Sequence, residues 1–159
     1  MYPTLELCRD VPVRAFEPGA ILLAEGETSG LLYILIEGEV EIVKGDFQIN
    51  TVSDPGAIFG EISVLLDIPH MATVRALTGC RAHQVRDANA FLKANQGISY
   101  HLAELLARRL HGVSTYLVDL KSQFAGHDNH LGMVDDVLET LVNQQDRRFT
   151  PGSDRDPGF

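Results

Sequence analysis

A mainly β fold with helices towards its C-terminal end is predicted for this chain of 159 residues. Three observations predict it. Short apolar runs recur between Val11 and Val85, punctuated every ~10 residues by Gly, Pro or Asp, which is the pattern of an all-β sandwich or barrel. Leu106, Val113 and Leu120 then recur at heptad spacing, with Leu110, Leu117 and Phe124 in the complementary register, which marks a long helix after the strands. Apolar residues make up 45% of the chain, enough to bury a core rather than remain disordered.

In chain order, Val11 to Phe16 reads as the first strand, closed by Glu17-Pro18-Gly19, and Ile21 to Leu23 as the second, closed by Glu25-Gly26-Glu27. Leu31 to Ile36 is the third. After Gly38, Val40 to Lys44 alternates apolar with charged residues, Gly45-Asp46 makes a turn, and Phe47 to Val52 alternates again. Gly19, Gly26, Gly38, Gly45 and Gly56 are expected where φ is positive or strands turn sharply. Ala57-Ile58-Phe59 is a short apolar step. Gly60-Glu61 opens a brief helical pattern with Ile62, Leu65 and Leu66 on one side, and it is broken over Asp67 to His70, where Pro69 lacks a backbone donor. Thr73 to Ala76 and Ala82 to Val85 complete the strands. Asp87 caps a short helix from Ala88 to Ala94, and Asn95-Gln96-Gly97 breaks it.

The long helix is expected from Ser99 to about Gln123. A helix of ~25 residues spans ~38 Å, more than a small barrel needs. Its seam has two readings, a parallel dimer contact or packing on the chain's own barrel. Gly126 to His130 ends the helix, and His127 and His130 read as part of a solvated loop rather than a metal site. Met133-Val134, Val137-Leu138 and Leu141-Val142 form one more amphipathic helix, a candidate docking surface, and residues 150–159 are expected to be disordered. The domain reading is therefore a β-barrel with short helices over 1–97, the long helix over 98–125, the amphipathic helix over 126–149 and a tail over 150–159.

Charge and cysteine usage narrow the classes. A net charge of −9 offers little attraction for nucleic acid, which calls for clustered Lys and Arg. Cys8 and Cys80 stand far apart with no metal-ligand spacing and read as reduced thiols. No signal peptide and no membrane-length apolar run is visible, so a cytoplasmic protein is expected. No nucleophile elbow, P-loop or paired-carboxylate arrangement points to catalysis, so no catalytic residue is assigned and a non-enzyme is expected.

The chemistry concentrates in residues 55–76. Turn, short apolar step, glycine, one short helix and a strand can build an anion pocket, because glycine admits close approach and a first helical turn presents N–H groups with partial positive charge. Phe59-Gly60-Glu61-Ile62-Ser63-Val64-Leu65 followed by Pro69-His70-Met71-Ala72-Thr73-Val74 resembles the phosphate-binding cassette of cyclic-nucleotide-binding domains. Pro18-Gly19, Gly26, Leu32-Tyr33-Ile34-Leu35 and Gly38-Glu39-Val40 extend the resemblance over about residues 10–120.

The resemblance implies a double-stranded β-helix, or jelly-roll, barrel followed by a dimerisation-type helix. It implies cAMP or cGMP as ligand, no separate cofactor and no metal, a homodimer, and a downstream protein partner in signal transduction. It also implies ligand contacts from Phe59, Gly60, Glu61, Ile62, Ser63, His70, Met71, Ala72 and Ser114. Gly60 and the amides of Ile62, Ser63, Met71 and Ala72 are the candidate phosphate donors. Glu61 would accept from the ribose 2′-hydroxyl, the other reading being that it favours the helix start. Ser114, with Val113 beside it, would approach the base, and a plain surface position is the other reading. Only about 30 residues follow the long helix here, so the winged helix-turn-helix domain of the transcription factors in this family is not expected.

One position departs from the family: His70 stands where an arginine is usual. Arginine offers a permanently charged fork, whereas an imidazole loses its charge near pH ~6.5. Two hypotheses follow. Either His70 binds phosphate, with modest affinity that rises as pH falls, or the pocket has diverged and the protein is a dimeric interaction module that binds another ligand or no nucleotide. Arg75 and Arg81 are the alternative sources of positive charge.

Overall fold

The structure, a computed structural model, describes residues 3–123 and 131–143. The chain divides into two compact units, Met1–His101 and Leu102–Phe159. Among the described residues, the first unit holds all the strands.

Among the described residues, eight antiparallel strands form two four-stranded sheets. The strands are β1 (Val13–Phe16), β2 (Ile21–Leu23), β3 (Leu32–Glu37), β4 (Val40–Lys44), β5 (Phe47–Val52), β6 (Ile58–Phe59), β7 (Thr73–Ala76) and β8 (Cys80–Val85). One sheet has the order β1-β8-β3-β6 and the other β2-β7-β4-β5. Chain neighbours repeatedly fall in opposite sheets, as a jelly roll requires: β1 and β2 separate at once, and so do β7 and β8. This is the predicted fold class.

The core forms between the sheets from inward residues of both, including Phe16, Leu23, Tyr33, Leu35, Val40, Phe59 and Val74. Phe16 and Tyr33 meet edge to face with ring centroids 5.6 Å apart, an arrangement the ring quadrupoles favour. On β3 the alternate residues Leu32 and Ile34 are fully buried as well, and the N-terminal helix α1 (Pro3–Leu7) lies against that strand. The sheet is therefore covered on both faces, and β3 reads as a continuous apolar run rather than an alternation. The thiols of Cys8 and Cys80 are buried and free. Burial pushes the Cys8 thiol up to about 11, well away from the reactive thiolate range.

Gly19, Gly26, Gly38, Gly45 and Gly56 all have positive φ, as expected. The requirement is most severe at Gly38, between β3 and β4, where a Cβ would meet the Gly79 carbonyl oxygen at 2.5 Å and Cys80 Sγ at 2.7 Å.

Several boundaries differ from expectation. The first strand begins at Val13 rather than Val11, because Val11 N–H closes a turn after α1 on the Cys8 carbonyl and Pro12 has no N–H to give. Helix α1 itself, too short to show a period, was not anticipated. Ile58 and Phe59 are a true strand, paired with Ile34 and Tyr33. On α2 (Glu61–Leu66) the expected apolar side is not the buried one: Glu61, Ser63 and Val64 are buried, while Leu65 and Leu66 are exposed. A helix of fewer than two turns is oriented by what precedes and follows it, not by its own periodicity. Residues of β5 are exposed or half-buried throughout, since it is the edge of its sheet.

Helix α3 (Ala88–Ala94) is capped by Asp87, whose side chain accepts from Ala90 N–H, as expected. The long helix α4 (Gln96–Gln123) starts three residues before the expected Ser99. Asn95 alone makes the break, capping Phe91 through both its backbone and its side-chain N–H. Gly97 sits inside the first turn, where a Cβ would press on Leu7 Cδ1 at 3.1 Å. In the second unit α5 (Leu131–Asn143) matches the expected amphipathic helix, and Lys121 of α4 pairs with Asp135 of α5. Along the seam of α4, Leu106, Leu117 and Leu120 are half-buried, and Leu110 and Val113 are exposed. Phe124, His127, His130 and residues 150–159 lie outside the described residues.

Candidate functional site

The site begins where β6 hands the chain to α2. Gly60 sits between them at φ 94°, ψ 0°, and a Cβ there would lie 2.5 Å from the Leu31 carbonyl oxygen. Only glycine fits that approach. The turn it makes sends Glu61 and Ser63 inward, and both are buried. Asp67, in the left-handed conformation at φ 54°, ends α2 by donating its N–H to the Ser63 carbonyl, which also accepts from Ile68. The chain then turns through Pro69 to His70.

His70 is buried against the loop that joins β2 to β3. Its backbone pairs with that loop twice, with Gly26 N–H donating to the His70 carbonyl and His70 N–H donating to the Glu27 carbonyl, each at 2.8 Å. Its ring is held on both sides by hydroxyls: Ser29 Oγ stands 2.6 Å from Nε2 and Ser63 Oγ 2.9 Å from Nδ1. The same loop is tied at two further points. Glu25 N–H donates to Thr73 Oγ1 at 3.1 Å, and Glu25 Oε1 accepts from Gly45 N–H at 2.9 Å.

Burial lowers the His70 pKa below the ordinary histidine value, and the nearby Glu27 carboxylate offsets this only in part. The ring is therefore neutral at pH 7, with one donor and one acceptor nitrogen. A histidine depressed in the folded state favours folding above its unfolded pKa of ~6.5, and that stability is lost as pH falls through the folded value. Chemical denaturation at about pH 7.5 and about pH 5.5 is expected to show wild type losing more stability on acidification than His70→Gln does. Equal losses would contradict a buried neutral ring.

Two arginines near the cassette are already committed to carboxylates. Arg75 pairs with the buried Glu41, whose second oxygen accepts from Gln48 Nε2 at 2.8 Å. The Arg75 bond, then the Gln48 bond, holds the Glu41 carboxyl below its usual range. Arg81 donates through Nε to Glu37 at 2.7 Å. Neither arginine fills the role of the missing one. Lys44 reaches the cassette, donating through Nζ to the Met71 carbonyl at 3.0 Å.

The structure thus brings Gly60, Glu61, Ser63 and His70 together, with Ile62 half-buried on the same turn. Ala72 is half-buried and Met71 exposed on the stretch that follows His70. Phe59 belongs to the core between the sheets. Ser114 lies on α4 in the second unit and is half-buried. Sequence reasoning missed Ser29 and Lys44. Both reach the cassette across strand and loop pairings distant in the chain, and neither carries a local motif. Among the described residues no group of three His, Cys, Asp or Glu side chains is placed to hold a metal ion, and no helix is long and apolar enough to cross a membrane.

Comparison with known proteins converges on this architecture. The family model described as cyclic nucleotide-binding domain matches residues 13–93, just over half of the chain. A CRP-like cAMP-activated global transcriptional regulator of Mycobacterium tuberculosis is 34% identical over an alignment of 111 positions that covers 66% of this chain and 50% of that protein. A cAMP-dependent protein kinase regulatory subunit of Yarrowia lipolytica is 33% identical over 78 residues, covering 48% of this chain and 21% of that one. The chain thus spans half or less of the length of these relatives. A solved cyclic nucleotide-binding domain from Methylobacillus flagellatus shares the fold, with a TM-score of 0.60 at 23% identity over 72% of this chain and 70% of that one.

Proposed function

The chain belongs to the cyclic nucleotide-binding domain family, and from that premise we propose that it is a regulatory sensor module that takes cAMP or cGMP at the turn around Gly60. The observation that carries this reading is the convergence on one turn of a left-handed Gly60, the buried carboxylate Glu61 and the buried hydroxyl Ser63. A cyclic nucleotide has three handles: an anionic phosphate, a ribose hydroxyl and a base. In this reading the amides of Ile62, Ser63, Met71 and Ala72 receive the phosphate, and Glu61 accepts from the ribose 2′-hydroxyl. The signal leaves along α4, whose first six residues belong to the barrel unit and whose remainder belongs to the second unit. A ligand shifts only an equilibrium between states that it binds differently, so this output requires α4 to have two arrangements.

We further propose that the chain is a cytoplasmic homodimer that acts on a protein partner. The exposed Leu110 and Val113 on the α4 seam motivate the dimer. The test combines two measurements. A thermal-shift titration with cAMP and with cGMP is expected to raise the midpoint by several degrees at ~100-fold excess over Kd, since binding then adds ~2.7 kcal/mol. The expected sedimentation coefficient is that of a dimer. No shift and no calorimetric heat with either nucleotide would remove the ligand, and a monomer would remove the dimer.

One observation favours a second reading, in which the pocket serves another ligand or none. Arg75 and Arg81 are bound in ion pairs and His70 is neutral. A cyclic phosphate would then be held by dipoles and by Lys44, whose Nζ already donates to the Met71 carbonyl, rather than by either arginine.

A further inference from the structure

The hydrogen bonds around His70 form a chain from Leu31 N–H that ends on the proposed phosphate turn. Leu31 N–H, which can only donate, gives its proton to Ser29 Oγ at 3.2 Å. Ser29 has one proton of its own, and the acceptor offered to it is His70 Nε2 at 2.6 Å. That separation suits a hydroxyl donor, whereas the 2.9 Å between Nδ1 and Ser63 Oγ suits an N–H donor. If Nε2 accepts, a neutral ring carries its proton on Nδ1 and donates it to Ser63. The Ser63 oxygen is then occupied as an acceptor, and its own proton is turned away from the ring. Ser63 lies on the first turn of α2, two residues from Glu61 and three from Gly60.

We propose that Ser29 is a positioning residue of the ligand site: it fixes His70 as the Nδ1–H tautomer, and the relay Leu31, Ser29, His70, Ser63 presents the Ser63 hydroxyl as a neutral donor to an anionic phosphate oxygen. This rests on the reading of the turn as a phosphate site. The relay explains how a site with histidine in place of arginine keeps a donor for the anion: polarised hydrogen bonds in a buried chain reinforce one another and need no formal charge. The cost of burying a cation is avoided as well. Low ring basicity fits the same picture, because a protonated ring would donate from both nitrogens and reverse the bond to Ser29.

The experiment is nitrogen-15 NMR of the histidine ring in the full chain, together with calorimetric titration of cAMP, on wild type, Ser29→Ala and Ser29→Thr. Wild type is expected to show His70 as the Nδ1–H tautomer. In Ser29→Ala the ring is expected to move its proton to Nε2, so that Nδ1 claims the Ser63 proton and cAMP affinity falls roughly three- to tenfold, the worth of one hydrogen bond. Ser29→Thr, which keeps the hydroxyl, is expected to restore both. A loss of affinity with no change of tautomer would reduce Ser29 to a loop contact and overturn the proposal. So would an Nε2–H ring in wild type, or a tautomer change that leaves affinity untouched. If wild type binds neither cAMP nor cGMP, the ligand reading fails by itself, and the ring spectra alone decide whether the relay exists.

Discussion

Gly60→Ala is expected to lower stability by ~3–5 kcal/mol, among the largest effects of any single substitution in the barrel. Two costs add. Any residue with a Cβ pays ~1–2 kcal/mol for a left-handed backbone, and this one would also drive a methyl to 2.5 Å from the Leu31 carbonyl oxygen. Backbone on both sides leaves little to yield, since Tyr33 and Ile34 of the strand that follows Leu31 pair with Phe59 and Ile58 immediately before Gly60. Gly45→Ala is the control. Gly45 also has positive φ, at 60°, but nothing lies within 4 Å of its Cβ position, so ~1 kcal/mol is expected. Urea denaturation of the two variants separates strain from collision, and equal losses would show that the close approach at Gly60 has no energetic weight.

His70→Arg is expected to tighten cAMP binding by several-fold to about fiftyfold. The gain is the ~1.5–3 kcal/mol of a charged hydrogen bond to phosphate, less the neutral donor relay that the substitution removes. Calorimetry on both proteins measures the change, and the variant's binding is expected to weaken with added salt more steeply than that of wild type. An arginine variant that folds and binds cAMP no more tightly than wild type would mean that no anion is seated beside position 70. Binding that appears only in the variant would favour the diverged pocket.

What was legible in the sequence, and what was not, follows the range of the interactions. The strands and the positive-φ glycines could be read because each obeys a local rule: a short apolar or alternating run bounded by turn residues, or a turn that only glycine makes cheaply. The cap at Asp87 was legible for the same reason. Helix α2 misled because its six residues give a helical period too few turns to set a face, and the buried side is decided by Gly60 and Asp67 at its ends. At position 70 the sequence showed a weaker anion ligand than arginine. It did not show that both ring nitrogens are already engaged, because Ser29 is 41 residues away and Ser63 seven. The commitments of Arg75 to Glu41 and Arg81 to Glu37 depend on strand register, which single-sequence patterns leave open.

The bonds that tie the β2–β3 loop to the cassette also fix when the site can exist. Ser29 to His70 spans 41 residues and Glu25 to Thr73 spans 48. Closing loops of that length is entropically costly and is repaid only once the intervening strands have paired. The cassette motif alone, though contiguous in sequence, therefore has no geometry of its own. During synthesis the site cannot form until the chain has been made through Thr73 and the sheets have joined. A cut or a long insertion anywhere between Glu25 and Thr73 that prevented that joining would silence the site without altering one of its residues. Whatever binds there reads the completed barrel, not a peptide signature.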